Sequence, residues 1–107
     1  MWTVEIGAYS LKENEVGKML PVPSISRPHA DAVDALLDLE QAINNSEGHE
    51  PGLCWGCTYA IVAPDGRHLA LNAAYREVFE CDFVRHDNKD DAYPELRKAE
   101  RKRKAKQ

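Results

Sequence analysis

No apolar run in this chain is longer than a few residues, far short of the roughly 20 that carry a helix across a bilayer. The first residues, Met-Trp-Thr-Val-Glu-Ile, lack the basic region and apolar stretch of a secretory signal, so a cytoplasmic protein is expected. Cysteines number only three, Cys54, Cys57 and Cys81, and a disulfide framework in a small secreted domain needs an even set. Free or metal-bound thiols in a reducing compartment are the alternative. There is no Gly-rich phosphate loop, no His-Glu-x-x-His and no serine or cysteine in a nucleophile elbow. The four histidines, His29, His49, His68 and His86, are scattered, and the Asp90-Asp91 pair reads as a solvated loop. Nothing here points to an enzyme.

What the chain does have is enough apolar material for one core: 107 residues, of which 43% are hydrophobic and 30% charged. Its net charge of −4 conceals an asymmetry. Residues 1–94 hold seven Lys and Arg against sixteen Asp and Glu, a net of −9, and residues 95–107 hold seven against two, a net of +5. The expected organisation is therefore an acidic domain over residues 1–94 followed by a basic helical tail over 95–107.

Trp2, Val4, Ile6 and Ala8 alternate with Thr3, Glu5, Gly7 and Tyr9, the period of a half-buried strand. Residues 12–17 read as a turn, and residues 19–22 as a short strand stopped by Pro21 and Pro23. The main helix is expected over residues 28–45, with Ser26 as cap and Pro28 in its first turn. Ala30, Val33, Leu36, Leu37 and Ile43 would form its inner face, and Asp31, Asp34, Asp38 and Gln41 its outer one. Residues 47–53 read as a loop. A hairpin follows over residues 57–72, turning at Pro64-Asp65-Gly66, and Asn72 can cap a short helix over residues 73–80. Residues 87–91 form a charged loop, and Pro94 opens a last helix through Lys106. The fold class expected is α+β: a small antiparallel sheet, made of the N-terminal strand and the hairpin, is packed by one main helix, with a short helix and a projecting basic C-terminal helix. A core shared by Trp2, Val4, Ile6, Leu36, Leu37, Ile61 and Leu69 is expected with it.

Cys54-Trp55-Gly56-Cys57 is the most specific-looking motif. Thiolates two residues apart chelate zinc, and Cys81 with His86 supplies the remaining ligand types, although only one tight pair is present and His49 could replace His86. A redox dithiol is a further reading, but residues 58–62 look like strand and not like the helix N-terminus that lowers a thiol pKa.

The stretch from Tyr59 to Phe79, through Asp65-Gly66-Arg67, Asn72 and Ala74, resembles the opening hairpin and first helix of PAS-type sensor domains. The resemblance covers about a fifth of the chain and implies a hairpin followed at once by a helix. In that family further helices and three more strands complete a ligand pocket. Here Glu80 stands where the family usually has Gly, and only 28 residues follow Phe79.

The largest electrostatic feature is the tail, with Arg97, Lys98, Arg101, Lys102, Arg103, Lys104 and Lys106. Such a helix can neutralise phosphates or dock on an acidic protein surface. It has no aromatic side chain for stacking on single strands and no broad apolar face for a membrane. Only Leu96, Ala99 and Ala105 are apolar, so weak docking is expected, and a chain ending at Pro94 should fold nearly unchanged. The function expected is a non-enzymatic interaction or inhibitor-type accessory protein, of the kind carried by bacteria or their phages. It would bind a macromolecular partner, protein in preference to nucleic acid, through the acidic body or these seven cations, with no cofactor. The alternatives are a zinc-stabilised nucleic-acid-associated module, a CxxC thiol-redox protein and a truncated PAS-like sensor.

Overall fold

In the computed structural model, which describes residues 1–10, 20–47, 54–82 and 92–105, the alternating N-terminal segment forms strand β1 (Trp2–Ser10). Val4 and Ile6 are buried and Trp2 packs beside them, as a period of two requires. Strands β2 (Leu20–His29) and β3 (Cys54–Val62) flank β1, and the two-residue β4 (His68–Leu69) pairs with β3. The sheet is antiparallel throughout, in the order β2-β1-β3-β4. Helices α1 (Ala32–Asn44), α2 (Leu71–Phe79) and α3 (Pro94–Ala105) complete an α+β fold. One core cluster joins Val4, Ile6 and Ile61 of the sheet to side chains from all three helices.

The second strand departs from the sequence reading. It does not stop at Pro21 and Pro23, and Pro28 opposes Thr3 within it instead of opening a helix. β2 is an edge strand, where a missing backbone donor can face away from the ladder. With Ser26 in the strand, Asp31 caps α1: its extended backbone turns the chain, and its Oδ1 accepts the Val33 N–H at 2.9 Å.

The inner face of α1 is also rotated from the one expected. Ala35, Leu36, Leu39 and Ala42 are buried, Leu37 is only partly so, and Ile43 is exposed. Asp38, expected outside, turns toward β2, where Arg27 and His29 meet it. Arg27 Nη2 lies 2.7 Å from Asp38 Oδ1, His29 Nε2 lies 2.8 Å from Asp38 Oδ2, and Arg27 also pairs with Glu47. Tyr59 of β3 closes the cluster by donating its hydroxyl to the Glu47 carbonyl at 2.9 Å. Burial opposes the Asp38 charge, but the hydrogen bonds from Arg27 and His29 outweigh it and hold the carboxyl below its ordinary range.

The hairpin turns at Pro64-Asp65-Gly66 as expected, and Gly66 takes φ +93°, open to glycine at no steric cost. Its second strand is shorter than expected because Leu71 already belongs to α2. The apolar stripe Leu71, Ala74, Tyr75 and Val78 reaches the core only if the helix starts there, so Ala70 occupies the cap position and Asn72 does not. The helix ends at Glu80 in the left-handed conformation, φ 55° and ψ 37°. The hairpin and helix implied by the PAS resemblance are therefore present, whereas no strand follows Phe79 among the described residues. The expected turn at 12–17, the loop at 87–91 and residues 49, 86 and 106 lie outside the described residues.

Candidate interaction surface on the C-terminal helix

Helix α3 begins where Pro94 fixes the first helical φ, with Glu95 in the positive first turn and Lys102, Arg103 and Lys104 in the negative last one. Three contacts hold its start. Leu96 is fully buried in the common core. The Tyr93 ring meets Tyr75 edge-on, 5.1 Å between centroids, and its hydroxyl donates to Asn72 Oδ1. The Glu95 N–H donates to the Tyr75 hydroxyl at 3.2 Å, using one of the donors that a helix N-terminus leaves free. Burial pushes the hydroxyls of both tyrosines above their ordinary range, and the Glu40 carboxylate adds to the effect on Tyr93.

The seven cations of the tail do not form one surface. Arg97 turns inward: its guanidinium pairs with Glu40 of α1, which is 8% exposed, and lies 3.7 Å from Glu100. Arg103 reaches the start of α1, 2.6 Å from Asp34 and 3.2 Å from Asp31. Lys98, Arg101 and Lys102 are exposed at the i, i+3, i+4 spacing that puts them side by side on the opposite face. Lys98 bridges to Glu95 at 3.1 Å, and Lys104 is exposed near the helix end. Among the described residues, Arg101, Lys102 and Lys104 make no ion pair. Lys106 lies outside them.

A groove of about 550 Å³ runs where α3 meets the start of α1 and the end of α2. Val33, Phe79 and Ala99 supply its apolar wall, and Lys98, Arg101 and Lys102 stand on its rim. This juxtaposition of apolar and basic groups is not visible in the sequence, since its three apolar residues come from three separate helices.

The metal candidates are not brought together within the described residues. Cys54 and Cys57 stand on strand β3, Cys81 is half-buried and packs beside the core, and His86 is not described. Among the described residues no group of three or more His, Cys, Asp or Glu side chains is placed to hold a metal ion, and no helix is long and apolar enough to cross a membrane. The polar cluster of Arg27, His29, Asp38 and Glu47 escaped sequence reasoning, although the alternation of Ile25, Arg27 and His29 carries the period of a strand. Comparison with protein-family models, with curated proteins and with solved structures gives no match.

Proposed function

We propose that this protein is a non-enzymatic interaction protein, accessory or inhibitor-like in action, that binds an acidic protein surface through the outer face of α3. The observation that carries this reading is the division of labour among the cations. Arg97 and Arg103 are engaged by Glu40, Asp31 and Asp34, while Arg101 and Lys102 make no ion pair among the described residues and form an adjacent exposed set with Lys98, itself bridged to Glu95 of the same helix, which Leu96 anchors. A rigid basic face loses little side-chain and backbone entropy on association and adds electrostatic steering toward acid. The net of −9 over residues 1–94 works against the dense, continuous charge of a phosphate backbone more than against a small acidic patch on a protein.

The test is capture of the partner from a cell extract by the full chain and by a Lys98→Glu, Arg101→Glu, Lys102→Glu variant, each with and without nuclease. The wild-type complex should survive nuclease and weaken with salt, and the variant should lose it while its Tm moves by no more than about 5 °C. Nuclease-sensitive capture, or capture equal in the variant, would overturn the reading.

A further inference from the structure

We infer that the groove beside α3 docks an acidic amphipathic segment of a partner protein, seating an apolar side chain against Val33, Phe79 and Ala99 while its carboxylates meet Lys98, Arg101 and Lys102. The inference rests on the proposed basic face and narrows it to a ligand chemistry. Two acids also line the groove, and both are already neutralised: Asp31 by Arg103 at 3.2 Å and Glu95 by Lys98 at 3.1 Å. Arg101 and Lys102 carry no ion pair among the described residues, so the rim presents uncompensated positive charge. Charge complementarity therefore asks for an acidic ligand, and the apolar wall asks that it carry a hydrophobic anchor. The volume of about 550 Å³ lies in the range of sites that take a small group of atoms, enough for a few side chains. Nucleic acid could use the cations, but its phosphates would gain nothing from the aliphatic Val33 and Ala99 side chains of the wall.

The experiment is a titration of the isotope-labelled full chain, followed by amide NMR, with two synthetic peptides. One is glutamate-rich with leucines at helical spacing, and the other has the same charge with glutamine in place of each leucine. The leucine peptide should bind with Kd on the order of 100 µM and shift the amides of Val33, Phe79 and Ala99. The glutamine peptide should bind about tenfold more weakly, as should the leucine peptide to the Ala99→Glu variant and to an Arg101→Gln, Lys102→Gln variant. Ala99→Gln, which fills the wall with an amide, replaces Ala99→Glu if a carboxylate there lowers the Tm. Equal binding of both peptides, with shifts confined to Lys98, Arg101, Lys102 and Lys104, would overturn the groove and leave the basic face standing. If neither peptide binds, the groove assignment fails. If in addition a short DNA duplex or phosphatidylserine vesicles shift the α3 amides, the basic-face reading fails with it.

Discussion

Asp38 is the residue on which the polar organisation of the sheet edge converges. Its carboxylate receives Arg27 and His29 from β2, and the same Arg27 reaches Glu47 in the turn that follows α1. Because the folded-state pKa of Asp38 is depressed, the stability it contributes is fully present above about pH 4, the ordinary value for aspartate. That contribution is lost as pH falls through the lower folded value. Asp38→Asn should cost roughly 1 to 3 kcal/mol at pH 7, and the gap to wild type should shrink in denaturant melts repeated at about pH 3. A gap independent of pH would mean that the carboxylate's charge contributes nothing. Glu80 carries a different kind of local cost, since a left-handed φ of 55° crowds a side chain that glycine lacks. Glu80→Gly should therefore raise stability by about 0.5 to 1 kcal/mol, read by calorimetry. A loss of stability would show that the Glu80 side chain makes a compensating contact.

At the scale of elements, strongly periodic segments were legible from sequence and boundaries set by tertiary partners were not. The alternation at Trp2 to Ile6 and the turn at Pro64-Asp65-Gly66 encode their structure locally, and both appear where expected. Ser26 and Pro28 carry helix-start signals, yet pairing with β1 recruits them into an edge strand, and Asp31, which has the same capping chemistry, takes over. The candidate site was legible as a basic helix but not as a docked one. Composition counts the few apolar residues of α3 and implies weak attachment, but it cannot show that Leu96 enters the core or that Arg97 meets Glu40. Ending the chain at Pro94 should therefore cost at least about 3 kcal/mol: truncating a buried leucine is worth about 2 to 5 kcal/mol, and a largely buried carboxylate loses its guanidinium as well. A truncated chain that melts with the wild-type midpoint would contradict the docking of α3.

Across the whole molecule, the opposite charges of body and tail are partly matched within the chain. Arg97 and Arg103 join the C-terminal helix to acids spread along α1, and the cations left over face outward beside an apolar groove. One helix thus has a face that holds the fold and a face free to meet a partner. Denaturant melts of two variants, Leu96→Ala and the triple Lys98→Gln, Arg101→Gln, Lys102→Gln, test this division most directly. Leu96→Ala should lose roughly 2 to 5 kcal/mol, while the triple variant stays within about 1 kcal/mol of wild type, since exposed ion pairs and surface substitutions contribute little. Equal losses in the two variants, or a loss confined to the triple variant, would contradict it.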